Sequence, residues 1–319
     1  MLALLGAPGA FAAGKLQLKA ASYDLTSSVR RKGAFKGGKC DAQKLWCNCR
    51  QAIVEEIAAL DCDIIGIQDL CDSIAGRFES GPSLLESLNE RGLGYEWMTP
   101  SNSNPNFPLD GHLVNGVGVM WKAARFECED WGINWLGGLF DKPGRDKTLK
   151  YGQKKHAVAW VRLKDKKSGE SFYFASAIFN DAKQYTKQGK LDYPEINVTN
   201  ARNLVKILSD KFPEKVPSII ALSAYAQPNS EGYSILKESR WINAYEDVNT
   251  YGTLDPEDKT TVDTCSSYDE KGPVGGRRCH IYFSGVSAKT YTVERSKRKT
   301  ADGSLHYPSL TFPVVVEFE

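Results

Sequence analysis

Residues 218–228 run Ser218-Ile219-Ile220-Ala221-Leu222-Ser223-Ala224-Tyr225-Ala226-Gln227-Pro228. Small and branched apolar residues without a charge read as a buried strand, and the run stops in a loop at Gln227-Pro228-Asn229-Ser230. A helical pattern over 197–212 precedes the strand and a short one over 230–239 follows it.

The same reading extends outward in both directions. Upstream, Leu16 to Tyr23 alternates and then turns apolar, as a first strand does. Apolar residues at helical spacing over 45–60 (Ala52, Ile53, Ile57, Leu60) predict an amphipathic helix, closed by Asp61-Cys62-Asp63. Ile64-Ile65-Gly66-Ile67-Gln68-Asp69 is a short buried strand, and a second helix fits 81–91. Further strands are predicted over 116–121 and 126–135, with a hairpin over 156–179 turning at Lys166-Lys167-Ser168-Gly169. Cys279 to Phe283 and 313–318 complete the set. Interleaved strands and helices that also include a hairpin argue against a purely parallel sheet and for two sheets faced by helices.

The 319 residues are 41% hydrophobic and 25% charged, an ordinary globular composition. A net charge of +2 does not argue for nucleic acid, although basic residues gather at 142–155 and at Arg295, Lys297, Arg298 and Lys299. Residues 1–14, MLALLGAPGAFAAG, are uncharged and end near an A-x-A pattern, so they read as a leader resembling a signal peptide, followed by one domain over 15–319. The expected location is exported: secreted, periplasmic or thylakoid lumen. All eight cysteines lie beyond the leader, which predicts disulfides, and Cys265 and Cys279 are the pair expected across a Gly-rich loop. Cys40, Cys47 and Cys49 lack the second pair and the nearby His of a zinc site. Asn197-Val198-Thr199 is a glycosylation sequon. No run outside the leader region is long enough to span a membrane.

Taken in order, these blocks resemble the endonuclease/exonuclease/phosphatase superfamily. Ser22-Tyr23-Asp24-Leu25 resembles the family's Ser-Tyr-Asn block at the end of its first strand. Asp63-Ile64-Ile65-Gly66-Ile67-Gln68-Asp69 is similar to the strand whose terminal Glu binds the divalent metal, with Asp69 one methylene shorter. Ile178 stands where the family has a phosphate-contacting His. Leu222-Ser223-Ala224-Tyr225 resembles Gly-Asp-Phe-Asn with Ser223 and Tyr225 in the Asp and Asn slots. Cys279-His280-Ile281-Tyr282-Phe283 resembles Ile-Asp-Tyr-Ile-Phe, with His280 in the Asp slot. The closing Ser-Asp-His block fits Ser309-Leu310-Thr311-Phe312-Pro313, or alternatively Ser304-Leu305-His306-Tyr307-Pro308.

The resemblance implies a four-layer α/β/β/α sandwich and a family chemistry of metal-dependent phosphodiester hydrolysis. That chemistry needs a hard cation on oxygen ligands, a His base oriented by an Asp, and donors for the developing charge. Here no catalytic residue is expected, because Ile178, Ser223, Tyr225, His280, Leu310 and Thr311 replace the family's side chains. Asp24 and Asp69 remain, expected at neighbouring strand ends and facing each other. With Mg or Ca they would form a weak metal site. Without a cation they would repel and one would take up a proton. The leading expectation is an inactive member acting as a binding or structural subunit with a protein partner. The alternatives are a weak divergent phosphodiesterase or nuclease using Asp24 and Asp69, and a nucleic-acid- or glycan-binding module.

Overall fold

A computed structural model describes residues 16–25, 42–70, 82–99, 116–136, 156–179, 183–186, 189–192, 194–224, 230–250, 277–301, 303, 305–309 and 311–319. The leader-like residues, Cys40, Cys71, Cys265, Tyr225 and Leu310 lie outside them, and with Cys265 the expected Cys265–Cys279 pairing.

In chain order the first half contains β1 (Leu18–Asp24), α1 (Ala42–Leu60), β2 (Ile64–Leu70), α2 (Leu84–Asn89), β3 (Tyr95–Met98), β4 (Gly116–Lys122), β5 (Phe126–Trp135), β6 (Ala157–Asp165) and β7 (Ser171–Ile178). A small ribbon, β8 (Lys183–Thr186) and β9 (Gly189–Asp192), leads into α3 (Pro194–Lys211). There follow β10 (Ser218–Ser223), α4 (Glu231–Lys237), β11 (Ile242–Asn243), α5 (Ala244–Thr250), β12 (Cys279–Ser284) and β13 (Ala288–Val293). The second ribbon, β14 (Arg298–Lys299) with β15 (Leu305–His306), precedes β16 (Val314–Phe318).

Among the described residues, eight central strands and four edge strands sort into two six-stranded sheets. The first runs β13-β16-β1-β2-β4-β3 and the second β11-β12-β10-β7-β6-β5. Both are mixed: β1 lies parallel to β2 and β10 parallel to β7, while β1–β16, β10–β12 and β6–β7 are antiparallel. The sequence expectation of two sheets therefore holds, and so does the strand at 218–223, which is buried along its whole length.

Side-chain alternation divides the apolar residues into three layers of core. Between the sheets pack Ala20, Ile64, Val119, Val161, Phe174, Ala221, Ile281 and Val316. The other face of the first sheet (Ala21, Tyr23, Ile65, Ile67) buries Ile53, Val54 and Ile57 of α1 and Leu84 and Leu88 of α2. The other face of the second sheet (Val158, Ala175, Ile220, Leu222) buries Leu204 and Leu208 of α3 and Tyr233 and Leu236 of α4. Two sheets back to back with helices outside is the four-layer α/β/β/α sandwich.

Local chemistry sets several element ends. Ser83 caps α2, accepting from Glu86 N while the Glu86 carboxylate accepts from Ser83 N, a reciprocal capping box. Ser230 accepts from Tyr233 N at the start of α4. Asn197 of the sequon lies buried on α3, so the folded chain offers no room there for a glycan. Cys62 and Cys128 keep free thiols, which donate to the carbonyls of Leu60 and Asp130. Burial pushes these thiols up to about 12 and about 11, so neither is a ready nucleophile.

The two sheets approach one another closely at Gly66 of β2. A Cβ there would stand 2.3 Å from the Cβ of Ala221 on β10 and 3.3 Å from the Phe174 ring. Gly66→Ala should therefore destabilise the fold by about 1–3 kcal/mol through overpacking. Urea unfolding checks this, and Ala221→Gly in the same chain should recover part of the loss.

Candidate functional site

Several polar side chains of the inter-sheet face gather at one end of the sandwich. They follow from the register: on β1 the residues facing the second sheet are Ala20, Ser22 and Asp24, and on β10 they are Ile219, Ala221 and Ser223. On each strand the apolar core gives way to polar residues at the last positions. Asp24 has no exposed surface, and neither have Ser22, Gln68, Ser176 or Ser223.

The Asp24 carboxylate is closed by the second sheet. Its Oδ2 accepts a short hydrogen bond from Ser223 Oγ and lies 2.9 Å from Arg278 Nε. The same Arg278 N–H also reaches Ser223 Oγ at 3.1 Å. Arg278 immediately precedes β12, and its carbonyl accepts from Ala224 N at 2.8 Å, which fixes its backbone to the end of β10. The Asp24 backbone carbonyl is bound from another direction, by the hydroxyls of Ser309 and Thr311, each at 2.6 Å. Thr311 N donates to Ser309 Oγ at 3.2 Å.

Beside this cluster Gln68 spans the sheets. Its amide donates to Gly66 O and to Ser176 Oγ on β7, each at 3.1 Å, and Ser176 Oγ donates back to Ile67 O at 3.0 Å. Ile178, next but one to Ser176, is buried in the core between the sheets and pairs in register with Ser223.

Asp69 stands differently from expectation. The register pairs Asp24 with Gln68, so the two acids are not opposite one another. Asp69 is the extra residue of a bulge between Gln68 and Leu70, with φ 56°, a left-handed conformation that Asp tolerates better than most.

His280 is not part of the cluster. Cys279 and Ile281 face the inter-sheet core, so His280 points to the helix side between Tyr233 and Tyr282, with ring centroids 6.2 and 6.1 Å away. Burial, helped by the nearby Arg277 charge, pushes its pKa down to about 3. Of the two placements of the closing block, Ser309 and Thr311 reach Asp24, whereas Leu305 and His306 form a separate ribbon with Arg298 and Lys299. Arg278, Gln68, Ser176 and Ser309 complete the site, and the sequence reading gave none of the first three a role there.

The fold implies a divalent cation, and the side chains here do not fit one as they stand. A hard cation needs carboxylate lone pairs free to coordinate. Asp24 Oδ2 instead receives a guanidinium and a hydroxyl. Among the described residues no group of three His, Cys, Asp or Glu could hold a metal ion. Among the described residues no imidazole contacts Asp24, and Thr311, placed by the resemblance in the slot of the base, has its hydroxyl on a backbone carbonyl.

No protein-family model matches the chain, and no curated protein matches it. Solved structures do. An endonuclease/exonuclease/phosphatase family protein from Bacteroides thetaiotaomicron is 17% identical, with a TM-score of 0.69, over 95% of this chain and 97% of that one. A mannosyl-6-phosphatase of the same organism is also 17% identical, with a TM-score of 0.68, over 95% and 99%. The human Nocturnin catalytic domain with a bound sulfate anion is 17% identical, with a TM-score of 0.60, over 95% and 93%. The chain thus has the fold of the endonuclease/exonuclease/phosphatase proteins.

The His280 pKa is depressed from 6.5, so the stability tied to its neutral form is complete above pH 6.5 and drains as pH falls toward 3. By pH 5 the wild type should have lost about 2 kcal/mol more than His280→Phe, relative to pH 7.5. Urea unfolding of both proteins at the two pH values measures the difference.

Proposed function

We propose that this chain is a catalytically inactive protein with the endonuclease/exonuclease/phosphatase fold, acting as a binding or structural subunit on a protein partner. The observation that carries the reading is the set of partners around Asp24. Among the described residues these include a guanidinium and three hydroxyls, those of Arg278, Ser223, Ser309 and Thr311. Phosphodiester hydrolysis needs a group that takes a proton from water, and a hydroxyl already donating to a carbonyl does not do so. Ile178 offers neither donor nor acceptor to a phosphate. Losing single members of such units typically lowers rates by a factor of about 10²–10⁴, and here several are replaced together.

The leader-like residues 1–14 support an exported location: secreted, periplasmic or thylakoid lumen. Among the described residues no helix is long and apolar enough to cross a membrane. A large two-sheet scaffold whose cleft has lost its chemistry can be retained for its surface, since fold does not fix function.

The test is turnover. Purified protein should release no product above the metal-only background from bis-(p-nitrophenyl) phosphate, single-stranded DNA or mannose 6-phosphate, with Mg²⁺, Mn²⁺ or Ca²⁺ present. Metal-dependent turnover that Asp69→Ala removes would overturn the reading and establish a reduced active site.

A further inference from the structure

We infer that the guanidinium of Arg278 is a built-in cation for the Asp24 carboxylate, occupying the electrostatic place of a divalent ion and closing the cleft to metals. The inference deepens the reading of an inactive cleft and rests on it. Its test reads metal binding and not turnover, so that the two fail separately.

A carboxylate with no exposed surface has lost its hydration and needs a positive partner and hydrogen-bond donors in exchange. Asp24 receives both: the Arg278 charge at 2.9 Å and the Ser223 hydroxyl on the same oxygen. Arg278 is itself only 10% exposed, so the pair lies largely out of the reach of solvent screening. A guanidinium does not deprotonate in a protein, so this cation is permanent across the whole pH range of the fold. Its approach is fixed at both ends, through the carbonyl bonded to Ala224 and the N–H bonded to Ser223.

A divalent ion reaching Asp24 would have to displace this arm and would then face its charge at close range. The disagreement between the fold and a metal site therefore has a local cause among the described residues. Removing the guanidinium should uncover a buried carboxylate that has lost this counter-charge, on the strand position that pairs in register with Gln68. Such a site recruits a hard cation.

The experiment compares the full chain with Arg278→Gln, Arg278→Lys and the double variant Arg278→Gln/Asp24→Asn. Each is titrated with Ca²⁺ by calorimetry and melted with and without Ca²⁺. The wild type and Arg278→Lys, which keep the charge, should give no saturable heat dependent on Asp24. Arg278→Gln should melt lower and gain saturable Ca²⁺ binding, with Tm recovering by about 5–10 °C at a hundredfold excess over its dissociation constant. The double variant should regain stability without Ca²⁺ and ignore the ion. Saturable Ca²⁺ binding by the wild type that Asp24→Asn abolishes would overturn the inference. So would a folded Arg278→Gln that binds none. If Arg278→Gln does not fold, rescue of folding by the added Asp24→Asn supports the pairing, and failure to rescue overturns it.

Discussion

An ion pair shut away from water joins the two sheets where β1 and β10 end. Asp24 belongs to the first sheet, Ser223 and Arg278 to the second, and the carboxylate is bound by both of them. Such a pair adds little net stability by itself, because desolvation consumes most of the Coulombic gain. Its weight lies in what its loss would leave: an uncompensated buried charge, which typically costs about 3–5 kcal/mol. The pair therefore acts as a constraint on which packing of the sheets is allowed. The Asp24 carbonyl adds a second constraint, since it holds Ser309 and Thr311 and through them the chain entering β16.

The opposite end of the sandwich repeats the device with different residues. Arg125, in the turn from β4 to β5, contacts Asp63 at 2.7 Å and Asp165 at 3.1 Å, and also donates to Gln17 O. It too ties one sheet to the other with a guanidinium. Between the two clamps the described inter-sheet layer is largely apolar, interrupted where Ser22, Gln68 and Ser176 hydrogen-bond to one another and to nearby carbonyls. A sandwich clamped at both ends and close-packed between them, down to the Gly66–Ala221 contact, leaves little freedom for sliding.

The parts of this arrangement legible in the sequence are those written in short apolar runs. The strands at 64–70, 116–122, 157–165 and 218–223 and the helices at 42–60 and 194–211 carry their own periodicity, and their order was enough to indicate the sandwich. β3 has only four residues, and β13 is an edge strand whose sequence, Ala-Lys-Thr-Tyr-Thr-Val, lacks a strong apolar face; both were missed. α5 was missed as well, being two turns with acids at its start. The site was less legible. Asp24 and Ser223 meet across 199 residues, and no local pattern reports such a contact. Arg278 follows a Gly-rich stretch and reads as one more loop charge. His280 was in the right order for its slot, yet the alternation of Cys279, His280 and Ile281 already required two apolar neighbours to take the inner face.

That polar residues persist at this end of the sandwich has a reason in the fold itself. Backbone carbonyls at the ends of parallel and antiparallel strands have no ladder partner, and burial obliges them to find donors. Ser309 and Thr311 donate to the carbonyl of Asp24 at the end of β1, and within β2 Ser176 and the Gln68 amide add donors to the carbonyls of Ile67 and Gly66. An all-apolar replacement of Ser309 and Thr311 would take both of these hydroxyl donors from the Asp24 carbonyl at the end of β1, and a buried oxygen left without a donor costs about 1–3 kcal/mol. Hydroxyls and an amide are the smallest groups that fill the space and supply the protons. Polar side chains in this cleft thus record the needs of the strand ends. On the proposed reading, chemistry would require something more: a base with a free lone pair, or a carboxylate not already held by a guanidinium.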